Sequence, residues 1–118
     1  MKYEKDIYER VYVFALDVVK FARLFPRTIE ADVIRKQVIR SATSVAANMQ
    51  EADGARTKLE FAHAVSISKK EAKETKVWLR MVNDLYPRLS ARVEPLISEN
   101  DELIKILSSI IIKVSSKK

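Results

Sequence analysis

Apolar residues recur along the first part of the chain at alternating spacings of four and three residues, from Ile7 to Phe25. This spacing is typical of one buried seam on an amphipathic helix. It predicts a first helix over residues 3–25, which Pro26 ends because the residue before a proline is pushed out of the helical region. Comparable seams predict three further helices, over residues 28–52, 57–85 and 93–114.

The predicted connections carry the residues that usually begin and end helices. Thr28 and Thr57 are candidate N-caps, and Thr57 is followed three residues later by Glu60, which is the capping-box pattern. Gly54 is the only glycine and is expected to end the second helix in a positive-φ conformation. Pro87 marks a short connection before the fourth helix.

Composition narrows the fold class. One glycine and three prolines among 118 residues are too few for the frequent turns of a β-rich chain. We therefore predict an all-α protein: a single antiparallel, up-down-up-down four-helix-bundle domain over residues 1–118. The apolar faces of the first and fourth helices are wider than a monomeric bundle needs, which favours a homo-oligomer. The alternative is that Tyr8, Tyr12 and Ile112 are simply part-exposed.

Residues that could carry catalysis or bind a cofactor are few. The chain has no cysteine and one histidine, His63, and one glycine cannot form a phosphate-binding loop. Glu60 and His63 form one Glu-x-x-His pattern, whereas di-metal bundles use two. The serines have no nearby histidine that could activate them. We therefore expect no enzyme, no cofactor, no metal and no small-molecule substrate.

A line of small and polar residues runs along the second helix beside its apolar seam. Ser44, Asn48 and Glu51 share this line at helical spacing. We expect Asn48 and Glu51 to contact other parts of the protein near the following turn, and not a substrate.

Two glutamates of the third helix are candidates for ion pairing. In an antiparallel hairpin, residues equidistant from the turn lie at the same height, which places Glu71 and Glu74 near Arg40. A half-buried Arg–Glu pair leaves neither charge without a partner. Arg40, Glu71 and Glu74 together with Ser44, Asn48 and Glu51 form a predicted structural polar motif.

The formal net charge is +6, and basic residues gather on the second and third helices. Lys69, Lys73, Lys76 and Arg80 are spaced to form a stripe on one face of the third helix, and Arg35 and Lys36 lie on the second. Two interpretations stay open: a solvated basic face, or a surface for nucleic acid.

Residues 1–12 contain no apolar signal core, and no apolar run is long enough to cross a bilayer. Together with the lack of cysteine, this favours a cytoplasmic protein that does not contact membranes.

Two segments carry a family resemblance: IRSATSVAANMQEADGAR and EFAHAVSISKKEAKETKVWLRMV. They resemble the four-helix-bundle proteins encoded by intervening sequences in bacterial 23S rRNA genes, the S23 family. Many members have glycine directly after the glutamate, whereas here Ala52 and Asp53 intervene before Gly54. The matching positions are Arg40, Ser41, Ser44, Asn48, Glu51, Gly54, Phe61, Lys70, Glu71, Ala72, Glu74, Thr75, Trp78 and Leu79.

The resemblance implies an antiparallel bundle that assembles into a ring-like homopentamer, with no assigned catalytic residues. It also implies a relation to the accessory protein of diversity-generating retroelements, which binds reverse transcriptase and nucleic acid. Two functional hypotheses follow. One is a non-catalytic oligomer that binds nucleic acid, RNA in particular, through basic surfaces. The other is a purely structural protein–protein assembly module without nucleic-acid binding.

Overall fold

A computed structural model describes the backbone of residues 2–115 and the side chains from residue 7 onward. Its helices are α1 (Lys2–Ala22), α2 (Ile29–Asp53), α3 (Lys58–Leu85) and α4 (Ser90–Ser115), with a 3₁₀ turn at Pro87–Leu89. We expect the SSKK segment, residues 115–118, to fray, and residues 116–118 of it lie outside this range. Across the described residues, α1 and α3 each pack against α2 and α4, and no contact joins either diagonal pair. The predicted up-down-up-down four-helix bundle is confirmed, and it measures 49 × 21 × 19 Å.

The predicted apolar seams form the core. Every residue of the first seam, from Ile7 to Phe25, is buried, as is the predicted seam of α2 from Val38 to Ala52. Among the residues whose side chains are described, four polar ones are also fully buried, and they form hydrogen bonds. Among them, the Ser68 hydroxyl donates to the Val45 carbonyl oxygen at 2.8 Å, which ties α3 to α2. The fully buried polar residues are Ser41, Ser68, Thr75 and Asn100.

Helix α1 ends at Ala22, so the predicted continuation to Phe25 is wrong. Beyond Ala22, the amides of Arg23, Leu24 and Phe25 donate to the carbonyl oxygens three residues earlier, so the chain tightens and leaves the α-helix before Pro26. A side chain from α2 then caps this end. The Arg35 guanidinium donates to the carbonyl oxygens of Ala22, Phe25 and Pro26 at 3.1–3.2 Å. It also lies 5.6 Å from the centre of the Phe25 ring. Phe25 thus stays in the core although its backbone has left the helix.

Helix α4 begins at Ser90, earlier than the predicted start at Val93. The 3₁₀ turn leads directly into it, and the buried side chain of Leu89 anchors this turn to the core. Because of this earlier start, Pro95 is the sixth residue of α4 and lies inside the helix, where it cannot donate to the carbonyl oxygen of Ala91.

The two predicted threonine caps are confirmed, because Thr28 accepts from the amide of Ala31 and Thr57 from that of Glu60. The Glu60 carboxylate accepts from the amide of Arg56 at 3.0 Å, one residue earlier than a standard capping box. The expected positive φ of Gly54 is wrong, since its φ is −91°. Among the described residues, no helix is long and apolar enough to span a membrane.

Candidate functional site

A charged cluster bridges α2 and α3 on their outward side. Arg40 pairs with Glu71, with 3.2 Å between Nη1 and Oε1, and also with Glu74. Trp78 donates its indole N–H to the Glu74 carboxylate at 3.2 Å. The Gln37 amide oxygen accepts from Arg40 Nε at the same distance. The pairing expected from equal height in the hairpin is therefore present, and both glutamates are already occupied by protein groups.

The polar line of α2 continues from this cluster towards the α2–α3 turn. The Asn48 side-chain amide donates to the carbonyl oxygen of Ser44 at 2.9 Å and to its hydroxyl at 3.1 Å. Asn48 thus binds the protein, but within its own helix and not near the turn. The expectation for Glu51 is wrong: its side chain is exposed and forms no hydrogen bond or ion pair with the described part of the chain.

An open groove of about 340 Å³ lies beside the turn, between α2 and α3. Asn48 and Glu51 line one wall, and Glu60, His63 and Ile67 line the other. The Glu60 carboxylate already accepts the Arg56 amide. Within residues whose side chains are described, no group of three or more His, Asp or Glu side chains is arranged to hold a metal ion.

The predicted basic stripe lies on the flank of α3 that faces α4. Lys73 and Arg80 are exposed, and Lys69 is half-buried. Lys76 pairs with Asp101 of α4, with 2.9 Å between Nζ and Oδ1. The two glutamates of this part of α3 lie on the opposite flank, where both pair with Arg40. The stripe therefore keeps cations that no carboxylate in the described structure engages.

Arg35, which the sequence groups with the basic residues of the surface, is engaged by other groups of the protein. Its guanidinium donates hydrogen bonds to the carbonyl oxygens at the end of α1 and forms an ion pair with Asp32. Lys36, the next residue, is exposed and has no ion pair among the described side chains. The structure thus separates the two α2 cations that the sequence grouped together.

One basic residue beside the stripe is not predicted from the sequence. Lys105 is exposed on α4, one helical turn beyond Asp101. Asp101, which precedes Lys105 by one turn, pairs with Lys76, so this part of α4 runs beside the middle of the stripe. The sequence alone does not predict how α3 and α4 align along their length, because the connection between them contains Pro87.

Comparison with known proteins agrees with the fold and the resemblance. A solved structure of a protein of unknown function, from the S23 ribosomal protein family of Bacteroides thetaiotaomicron, is similar at 28% identity with a TM-score of 0.84. The similarity covers 92% of this chain and 97% of that one. No curated protein matches the chain. The sequence model of the family described as 23S rRNA-intervening sequence protein matches residues 3–109. The chain belongs to the 23S rRNA-intervening sequence protein family.

Proposed function

We propose that the protein is a non-catalytic, self-associating helical bundle that binds RNA through the basic stripe of α3. The observation that carries the proposal is the separation of charge across α3. Lys73 and Arg80 are exposed without ion pairs among the described residues, while Arg40 engages Glu71 and Glu74 on the other flank. Phosphate groups can therefore approach the stripe without meeting free carboxylates of the same helix segment, which favours electrostatic binding.

Exposed apolar side chains support self-association. Tyr12 and Leu16 are exposed on α1, and Val77 and Met81 are exposed on α3. These two helices occupy opposite corners of the bundle, because each packs on α2 and α4 and not on the other. Two different apolar surfaces on one molecule favour head-to-tail contacts that close into a ring. A ring of five copies is the assembly that the family resemblance implies.

The apolar surplus expected on the fourth helix is largely absent from the described residues. Ile112 is the exposed large hydrophobic residue of α4, whereas Ile97, Ile104 and Ile111 are half-buried against the core. The proposed contacts between copies are accordingly assigned to α1 and α3.

The RNA proposal is tested by fluorescence polarisation with a structured RNA at about 50 mM salt, where electrostatic affinity is strongest. A variant with Lys69, Lys73 and Arg80 changed to glutamine is expected to bind far more weakly than the wild type. The matched control changes Lys20, Arg23 and Arg27 to glutamine, which removes the same charge from the α1 side. No binding of wild-type protein to RNA or duplex DNA under these conditions would refute the proposal.

Self-association is measured separately by size-exclusion chromatography with light scattering. The expected result is a single species larger than one chain, which Leu16→Lys or Met81→Lys dissociates. An intact oligomer that binds no nucleic acid would instead support the purely structural assembly module. A wild-type monomer would refute the self-association part of the proposal.

A further inference from the structure

An uncharged surface extends across α1 and α2. A groove of about 250 Å³ separates the two helices there, and its lining residues are uncharged. Leu16 is exposed one turn beyond Tyr12 on α1, and α2 has no charged residue from Ser41 to Gln50. Charged residues make up 32% of the whole chain, so this depletion is local. It is typical of the centre of a protein–protein contact, where tyrosine is also enriched. The groove is lined by Tyr8, Tyr12, Ala46, Ala47, Met49 and Gln50.

Exposed apolar side chains also form a short row on α3, at the opposite corner of the bundle. Val77 and Met81, the α3 row, lie one helical turn apart and are 47% and 43% exposed. Within one chain the α3 row cannot cover the α1 surface, because no contact joins α1 and α3 in the described residues. A second copy can bring the two surfaces together, and each copy then keeps one surface for a further copy.

Charged residues mark the ends of both surfaces. Glu9 is exposed three residues before Tyr12, on the same side of α1. On the outward face of α3, Lys70 lies two turns before the α3 row and Asp84 lies one turn after it. Glu9, Lys70 and Asp84 are all exposed and form no ion pair in the described part of the chain. Their charges are therefore available to a second copy.

These charges distinguish the two directions in which α1 can lie along α3. Glu9 precedes Leu16 by seven residues, which is about 10 Å of helix. When Leu16 packs on the centre of the α3 row, Glu9 therefore lies two turns away along α3. It lies near Lys70 if the helices are parallel and near Asp84 if they are antiparallel. Opposite charges across an interface fix its alignment, and like charges disfavour the wrong one, so the pattern favours the parallel contact.

We infer that α1 of one copy packs in parallel on α3 of a second copy, with Tyr12 and Leu16 on the α3 row and Glu9 beside Lys70. This inference rests on the proposed self-association and adds its direction and alignment. Because α1 and α3 run in the same direction within one bundle, a parallel contact keeps the bundles of successive copies pointing the same way. Such a head-to-tail contact closes into a ring whose axis runs along the bundles. It uses the outward face of α3, whereas the basic stripe lies on the flank that faces α4.

The direction is tested with pairs of introduced cysteines, because the chain contains none of its own. One variant carries Glu9→Cys and Lys70→Cys, and its matched control carries Glu9→Cys and Asp84→Cys. Both are treated with a short bis-maleimide cross-linker and separated on a denaturing gel. We expect a ladder of covalently joined chains from the first variant and single chains from the control.

A charge exchange tests the pair of Glu9 and Lys70 itself. Glu9→Lys is expected to shift the protein towards the monomer in light scattering at about 50 mM salt, where exposed charges are little screened. Adding Lys70→Glu to this variant is expected to restore the assembly. A role of Glu9 confined to the stability of its own bundle would not be rescued in this way, because α1 and α3 do not touch within one chain.

The outcomes separate this inference from the proposed function. If the wild type is an oligomer and the ladder comes from the Glu9 and Asp84 positions, or from neither pair, the parallel contact is overturned and the proposed self-association stands. Failure of Lys70→Glu to rescue Glu9→Lys would likewise overturn the contact between these two residues. A wild-type monomer would overturn both the inference and the proposed self-association.

Discussion

Ser41 of α2 and Thr75 of α3 place their hydroxyl oxygens 2.7 Å apart inside the interface between the two helices. Both residues are fully buried. The Thr75 hydroxyl also donates to the Glu71 carbonyl oxygen at 2.8 Å, whereas the Val38 carbonyl oxygen lies 3.4 Å from the Ser41 hydroxyl. The two shorter contacts are both satisfied when Ser41 donates to Thr75. The small side chain at position 41 leaves α2 and α3 room to pack closely here.

Two substitutions at position 41 are predicted to distinguish the contribution of the hydrogen bond to stability from the contribution of packing. Ser41→Ala removes the bond and is expected to lower the free energy of unfolding by about 1 kcal/mol. Ser41→Val additionally adds volume to a closed interface, which costs roughly 1–3 kcal/mol more. Urea unfolding of both variants measures the difference. Wild-type stability in Ser41→Val would show that the interface is not closely packed at this point.

Trp78 is the only tryptophan, so its fluorescence reports on the charged cluster between α2 and α3. Glu74→Ala removes the acceptor of its indole N–H and is expected to shift the emission to longer wavelength. The Arg40 and Glu74 side chains are 48% and 36% exposed, so loss of their ion pair costs no more than about 1 kcal/mol. Glu94→Ala, at an exposed position on α4, is the control. An unchanged emission spectrum for Glu74→Ala would contradict the indole–carboxylate contact.

Arg35 is predicted to matter for stability and not for RNA binding. Arg35→Lys keeps the charge but loses the planar fork that reaches several carbonyl groups, so it is expected to cost about 1.5–3 kcal/mol. The neighbouring Lys36→Gln is expected to leave the unfolding free energy unchanged. Thermal and chemical unfolding measure this contrast. If Arg35→Lys weakened RNA binding while leaving stability intact, Arg35 would belong to a binding surface after all.

The end of α1 shows why apolar periodicity predicts burial better than helix boundaries. Phe25 continues the apolar seam and is buried as that seam indicates, yet its backbone lies beyond the helix. The carbonyl oxygens of Ala22, Phe25 and Pro26 at this end are bound by Arg35, which is separated from Ala22 by 13 positions along the chain. A local pattern contains no information about a cap contributed by another helix.

The candidate site was likewise predicted only in part from the sequence. The Arg40–Glu71 pair followed from counting residues on either side of the α2–α3 turn, because a short hairpin keeps its helices in register. The same counting could not show that Glu51 would meet no partner, since it locates a residue along the bundle and not what surrounds it. The position of Lys105 along α3 could not be predicted, because the contacts that align α4 with α3, Asn100 to Ala72 and Lys76 to Asp101, are known only from the structure.

Gly54 is predicted to be replaceable. Its φ is −91°, and an added Cβ would meet only the Glu51 carbonyl oxygen, at 3.8 Å. Gly54→Ala is therefore expected to raise the free energy of unfolding by about 0.4–1 kcal/mol, because alanine restricts the unfolded chain. Differential scanning calorimetry measures the shift. A marked loss of stability would mean that the turn needs the freedom of glycine.

The connections between the helices share one property with Gly54, which is a backbone with negative φ. No residue described in the structure has a positive φ, so the chain reverses direction using conformations that any L-amino acid can adopt. Arginine already occupies all three connections, as Arg23 and Arg27, Arg56, and Arg88. The exposed arginine positions at the corners of the bundle can therefore change charge without straining the backbone, so selection can alter the electrostatic character of either end. A scaffold of this kind can diverge between polyanionic and protein partners while its helices stay the same.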